Sequence, residues 1–76
     1  MGQLLDEVKV ARSLPAPSLA REIRRAAGVS QQRLADELGV HAATVLRWEA
    51  GAQRPSGRVR AAYAQLLTEL NRAFAE

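Results

Sequence analysis

The sequence predicts an all-α domain of four to five helices. Apolar residues recur every three or four positions along most of the chain, which is typical of the inward face of a helix. Prolines, glycines and serines interrupt this pattern at points where helices would end and begin. Only "VKV", at residues 8–10, also fits the start of a strand, so no sheet is expected.

The amino-acid composition limits the classes of protein to which this chain can belong. The 76 residues make one domain with a small core, which a second chain could complete. The chain has no cysteine and one histidine, which excludes disulfides and thiolate zinc sites and argues against a protein-only metal site. No apolar run approaches the roughly 20 residues of a membrane span, and acidic residues stand where a signal peptide would be positive. We therefore expect a cytoplasmic protein without a metal or cofactor.

The positive charge lies in the middle of the chain. Residues 12–60 contain nine arginines and four acidic residues, and ten of the eleven cationic residues of the chain are arginine. Because guanidinium groups bind phosphate through two parallel hydrogen bonds, this distribution favours a phosphate-rich partner. A charged surface that is simply solvated is the alternative.

An amphipathic segment and then a helix are predicted near the N-terminus. Apolar residues at helical spacing within residues 1–14 indicate the segment, which Pro15–Pro17 would terminate. Ser18 can cap the helix that follows, and Gly28 would end it. The residues expected to face inward are Leu19, Ile23 and either Ala26 or Ala27.

Two short helices are predicted next. Ser30 would cap the first, and Gly39 would end it in a left-handed conformation. The second would extend from about Ala42 to Glu49 or Ala50. The inward residues would be Leu34, Ala35 and Leu38 in the first helix, and Val45 and Trp48 in the second.

One long helix completes the predicted domain, which is assigned to residues 18–76. Ser56 can cap this helix. An apolar stripe along it is longer than one small domain can cover, so it should meet residues 4–11 or a second copy of the chain. The stripe consists of Val59, Ala62, Tyr63, Leu66, Leu70 and Phe74.

The stretch "SQQRLADELGVHAATVLRWEAG", at residues 30–51, carries a helix-turn-helix signature. Two helices joined by about three residues can cross steeply only where their contact point is small, and Ala35 provides such a point. Gly39 forms the turn, while Val45 and Trp48 seat the second helix on the rest of the domain. A general helical hairpin would not need both Ala35 and Gly39.

The residues around this signature resemble a known protein family. Residues 19–67, about two thirds of the chain, resemble the Cro/phage-repressor (XRE) type of helix-turn-helix domain, and the matches at unbroken spacing are specific in combination. The resemblance implies a lambda-repressor-like, five-helix fold without strands that binds double-stranded DNA. The matching residues are Arg24, "SQQRLA" opening the second helix, "LGV" at the turn, "TVLRWEAG" in the third helix and "RPS" before the fourth.

The resemblance implies that the helix beginning near Ala42, here called the recognition helix, lies in the major groove. Short alanine side chains allow close approach to the bases, and an arginine one turn further on can bind O6 and N7 of guanine. Two alanines that merely favour a helix are the alternative interpretation. The residues expected to face base edges are Ala42, Ala43, Thr44 and Arg47.

A second set of residues is expected to contact the sugar-phosphate backbone. The resemblance places Gln31 at a helix N-terminus, where unpaired amides and the helix dipole favour phosphate. His41 stands where serine or threonine is usual, and it would cap the recognition helix or touch a phosphate. Arg54 and Arg58 flank the next turn, with solvated charge as the alternative. The set is Gln31, Gln32, His41, Arg54 and Arg58.

A structural ion pair is also implied by the resemblance. Arg24 would pair with Glu49 and so tie the first helix to the end of the recognition helix. Trp48, next to this pair, is interpreted as a core residue and not as a stacking platform for bases.

These expectations describe a sequence-specific DNA-binding protein, a small transcriptional repressor that acts as a homodimer on half-sites about 34 Å apart. A second DNA-binding function is that of an antitoxin, which represses its own operon and binds a toxin through the N-terminal segment or the last helix. A protein-interaction module without a DNA role is the alternative from another class. Catalysis is not expected, because the chain has no cysteine nucleophile, no acid spaced to pair with His41 and no Gly-rich phosphate loop.

Overall fold

The computed structural model describes the backbone of residues 14–75 and the side chains of residues 14–73. Within this range the chain forms four helices and no strand, which confirms the all-α prediction. None of these helices is long and apolar enough to cross a membrane. The predicted N-terminal segment, apart from Leu14, and the side chain of Phe74 lie outside the described residues. The helices are α1 (Pro17–Ala26), α2 (Gln31–Leu38), α3 (Ala42–Glu49) and α4 (Gly57–Ala75).

The four helices enclose one core. α2 packs against α3, α4 packs against α1, and contacts of α1 with α3 and of α2 with α4 complete the domain. The rings of Trp48 and Tyr63 meet in a tilted arrangement with centroids 4.8 Å apart. Trp48 is buried, so its interpretation as a core residue is confirmed. The core cluster consists of Ala20, Leu34, Ala35, Val45, Trp48, Tyr63 and Leu67.

The helix-turn-helix has the predicted local chemistry. The Ser30 hydroxyl accepts a hydrogen bond from the backbone N–H of Arg33 at 3.0 Å and caps α2. Gly39 ends α2 with a φ of 70°, a conformation that costs side chains other than glycine about 1–2 kcal/mol. Ala35 has no exposed surface, as a close contact between α2 and α3 requires. The sequence predictions for this motif are confirmed.

The beginning of α1 differs from the prediction. The helix starts at Pro17, with Ala16 at the N-cap position and no side-chain cap, so the predicted Ser18 cap is wrong. Proline fits the first position of a helix because its missing N–H would have no partner there. Leu19 is 53% exposed whereas Ala20 is buried, so the prediction of an inward Leu19 is also wrong. The small Ala20 side chain lets α1 approach the core closely.

The buried face of α4 is rotated about the helix axis relative to the predicted apolar stripe. α4 starts directly after Ser56, whose carbonyl accepts a hydrogen bond from the backbone N–H of Arg60 at 3.2 Å. Tyr63 is buried as predicted, but Ala62 is exposed and Leu67 is fully buried. The centre of the face therefore passes through Tyr63 and Leu67, and the inward position of Ala62 is wrong. The predicted stripe residues Val59, Leu66 and Leu70 are half-buried at its margins.

Truncation of two adjacent leucines tests this register. We expect Leu67→Ala to lower the free energy of unfolding by about 2–5 kcal/mol, because it leaves a cavity in a fully packed core. Leu66→Ala removes the same atoms from a half-buried position and should cost clearly less. Urea denaturation of both variants, at a protein concentration low enough to keep the chain monomeric, measures the difference, and equal losses would contradict the register described here.

Candidate nucleic-acid interface

The recognition helix α3 has a buried face and an exposed face. Val45, Trp48 and Glu49 are buried, and they fix the rotation of the helix about its own axis. On the opposite side Ala43 and Arg47 are exposed. The other two residues expected at base edges, Ala42 and Thr44, are half-buried at the margins of this face, and Ala42 also packs against the core cluster.

Arg47 is held by two polar neighbours on one side of the exposed face. Its Nε donates a hydrogen bond to Gln53 Oε1 at 3.0 Å, and its Nη2 lies 3.5 Å from Thr44 Oγ1. Gln53 belongs to the turn after α3, so that turn helps to set the direction of the guanidinium group. The remaining N–H groups of Arg47 can reach a ligand in front of the helix.

A buried carboxylate joins α3 to both preceding helices. Glu49 Oε2 accepts a hydrogen bond from Arg24 Nε at 2.6 Å, and Glu49 Oε1 accepts one from Arg24 Nη2 at 3.0 Å. Gln31 Nε2 also donates to Glu49 Oε1 at 3.0 Å. Arg24 Nη1 donates to the Val29 carbonyl at 2.8 Å, which fixes the link between α1 and α2. The structure thus brings together the two residues of the implied ion pair and adds Gln31 to them.

The electrostatics of this network keep Glu49 ionised. Burial favours the neutral acid, but the hydrogen bonds from Arg24 and Gln31, together with the charges of Arg24 and Arg21, outweigh it and hold the pKa of Glu49 below its ordinary value of 4.5. The hydrogen bond to Glu49 raises the pKa of Arg24. Both groups therefore carry their charges at neutral pH, and the only acidic side chain of α3 is neutralised inside the domain.

The amide and imidazole residues expected at the DNA backbone lie around the start of α2 and α3. Gln31 is half-buried in the first turn of α2, and Gln32 is exposed beside it with Nε2 donating to Asp36 Oδ1 at 2.8 Å. His41 is exposed at the N-cap position of α3, but its side chain makes no capping hydrogen bond. The capping role considered for His41 is therefore not present in this structure.

The two arginines expected at phosphates lie beyond the other end of α3. Arg54 is exposed in the segment between α3 and α4, and Arg58 is exposed in the first turn of α4. Gln31 and His41 precede α3 in the chain, whereas these arginines follow it. Polar and cationic side chains thus lie on both sides of the recognition helix along the chain.

Two residues of this surface were missed by sequence reasoning. Gln53 orients Arg47, and no local pattern signals a contact between side chains six residues apart across a turn. Leu46 is 54% exposed on α3, although its apolar character suggests an inward residue. Its exposure follows from the helical period, because Val45 and Trp48 on either side of it face the core.

The described residues offer no metal site. Within residues 14–75 no group of three or more histidine, aspartate or glutamate side chains lies close enough to hold a metal ion. The chain contains no cysteine that could supply a thiolate ligand.

The fold and the exposed face of α3 define a helix-turn-helix domain of the kind that binds DNA. Comparison with known families supports this class, since a family model described as "Helix-turn-helix" matches residues 21–68. The chain belongs to the Cro/phage-repressor (XRE) type of helix-turn-helix proteins, a family of DNA-binding regulators. The parallel searches of curated proteins and of solved structures produced no match.

The Glu49 network makes a prediction about stability and pH. Glu49→Ala should lower the free energy of unfolding at neutral pH by up to about 3–5 kcal/mol, because it leaves the charge of Arg24 buried without its partner. Since the folded pKa of Glu49 is depressed, its contribution is present above pH 4.5 and is lost as the pH falls through the lowered value. The difference between wild type and Glu49→Ala should therefore shrink in acid.

Urea denaturation at about pH 7 and about pH 3 measures both parts of this prediction. Glu22→Ala, which removes an exposed carboxylate from α1, is the matched control and should change stability by less than about 0.5 kcal/mol. Equal stabilities of wild type and Glu49→Ala at neutral pH would contradict the role of the network.

Proposed function

We propose that this chain is a sequence-specific transcriptional regulator that binds double-stranded DNA in the cytoplasm and represses transcription by occupying its site. The observation that carries the proposal is the exposed face of α3. It presents the short side chain of Ala43 and the apolar side chain of Leu46 beside one oriented arginine, while the only acidic side chain of α3 is buried and paired. A face of this composition can approach polyanionic DNA without charge repulsion.

Sequence preference would come from the exposed side of α3. The major groove is about 12 Å wide and admits one helix, and small residues such as Ala43 let the helix backbone come close to the base edges. Gln53 and Thr44 hold the Arg47 guanidinium group at the edge of this face. A pre-oriented arginine loses less rotamer entropy when it binds, which favours a bidentate contact with O6 and N7 of guanine.

The position of the protein on the duplex would be set by groups that precede and follow the recognition helix along the chain. Glu49 accepts one N–H of the Gln31 amide, which leaves the second N–H of that amide for a phosphate at the N-terminus of α2. Gln32 and His41 extend this side, and Arg54 and Arg58 would hold the phosphates on the other. Such contacts orient the protein without selecting a sequence.

A homodimer is part of the proposal. Between α2 and α4 lies an open groove of about 230 Å³ with apolar walls and charges of both signs at its rim. A two-fold related copy could place the rim cation of one chain against the rim anion of the other. Two recognition helices would then lie on half-sites about 34 Å apart. The groove is lined by Val29, Arg33, Leu34, Glu37, Leu66 and Leu70.

A comparison of Arg47→Ala with Arg54→Ala tests the division between base and backbone contacts. Arg47→Ala should cost about 1–3 kcal/mol on the preferred site, relax discrimination at one base pair per half-site, and spare weak non-specific binding. Arg54→Ala should weaken binding to all sequences about equally and reduce the salt slope by about one. Binding curves on the selected site and on scrambled DNA, from about 50 to about 200 mM salt, measure both effects.

Three results would contradict this proposal in different ways. Equal loss of affinity for all sequences in Arg47→Ala would show that Arg47 contacts the DNA backbone and not a base. No effect of either variant would make both arginines solvated surface residues. Wild-type binding that is absent, or that does not depend on salt, would remove the DNA-binding function itself.

The dimer is tested by placing a charge in the groove. We expect light scattering to give a mass of two chains for wild type and of one chain for Leu70→Asp, because a buried, unpaired carboxylate opposes association. Asn71→Asp adds the same charge at the neighbouring exposed position and should keep the wild-type mass. A one-chain mass for wild type at concentrations that saturate DNA would contradict the homodimer.

A further inference from the structure

Leu46 stands out on the exposed side of α3. Its side chain is 54% exposed and lies outside the core cluster, so the packing of the described core does not explain a leucine at this position. Ala43 precedes it by three residues, a spacing that puts two side chains next to each other on one helix face. Together they form a small apolar patch, which we call the Ala43–Leu46 patch.

The position of Arg47 leaves this patch open. Arg47 leans toward Thr44 and Gln53, through contacts of 3.5 Å and 3.0 Å. On a helix of 3.6 residues per turn, Thr44 and Leu46 lie on opposite flanks of Arg47. The exposed face of α3 is therefore divided into a cationic, hydrogen-bonding side and an apolar side.

We infer that the Ala43–Leu46 patch binds the C5-methyl group of a pyrimidine base, in thymine or in 5-methylcytosine, next to the base pair contacted by Arg47. This inference rests on the proposed function, since it needs α3 in the major groove. Base edges in that groove present hydrogen-bonding groups and, as their apolar feature, the pyrimidine C5-methyl. An exposed leucine there loses contact with water and gains dispersion contacts only where such a methyl group meets it.

Removal and addition of single methyl groups on the DNA test the inference. In the half-site obtained by selection from random DNA, each thymine is replaced in turn by uracil and each cytosine by 5-methylcytosine. We expect one position per half-site to respond. Its affinity should fall about fourfold on losing the methyl group of thymine, or rise about fourfold on gaining that of 5-methylcytosine, which is the effect of burying one methyl group.

Two leucine variants assign that response to a side chain. Leu46→Ala should bind the unmodified site more weakly than wild type and should lose most of the response to the methyl group. Leu19→Ala is the matched control, because Leu19 is the other large apolar residue within residues 14–73 that is about half exposed, at 53%, and it belongs to α1. This control should keep both the wild-type affinity and the wild-type response. Circular dichroism checks that both variants remain helical.

The possible failures are distinguishable. A wild-type affinity that ignores the methyl group at every pyrimidine of the half-site would overturn the inference and leave the proposed function standing. A methyl response that persists unchanged in Leu46→Ala would overturn it too, because the methyl group would then be bound without Leu46. If duplex DNA is not bound at all, the proposed function fails and the inference fails with it.

Discussion

Three of the four described helices are fixed relative to one another by the carboxylate of Glu49. Arg24 reaches it from α1 through two hydrogen bonds, and Gln31 reaches it from α2 through a third. A carboxylate that is 98% buried is costly unless its oxygen atoms are satisfied, and here both accept hydrogen bonds. The same guanidinium group also donates to Val29, so one arginine holds both the end of α3 and the turn before α2.

This constraint has a consequence for the surface as well as for stability. Because Glu49 is turned inward, the recognition helix offers no carboxylate to a ligand on its exposed side. Because Gln31 is tied to the same carboxylate, the start of α2 is fixed relative to the end of α3. The core contacts of Val45 and Trp48 then set the rotation of α3. The start of α2 and the exposed side of α3 are therefore held in one fixed arrangement, and such preorganisation would reduce the entropy cost of the proposed DNA binding.

The parts of the fold that depend on local chemistry were predictable from the sequence. The serine cap at Ser30 and the left-handed turn at Gly39 each follow from what that residue can do in its own backbone. The small contact at Ala35 follows from the steep crossing of two short helices. Family resemblance added the pairing of Arg24 with Glu49, which the spacing of 25 residues alone would not reveal.

The differences arose where tertiary packing chooses between neighbouring residues. Periodicity is compatible with either Leu19 or Ala20 facing inward, and the close approach of α1 to the core selects the smaller residue. In α4 the same ambiguity placed Ala62 inside and overlooked Leu67. The contact between Gln53 and Arg47 depends on the path of a turn, and no sequence period describes it. The base and backbone contacts stay predictions.

The central claim is that the exposed side of α3 and its flanks form the surface that binds DNA. Backbone amide chemical shifts during titration with the selected duplex test it most directly, because every non-proline residue reports separately. The account predicts that the largest changes occur at residues 41–47, with smaller ones at residues 31–33 and 54–58, and that residues 65–72 of α4 change little when DNA binds to a dimer that is already formed. Changes concentrated on residues 65–72, with α3 unaffected, would contradict it.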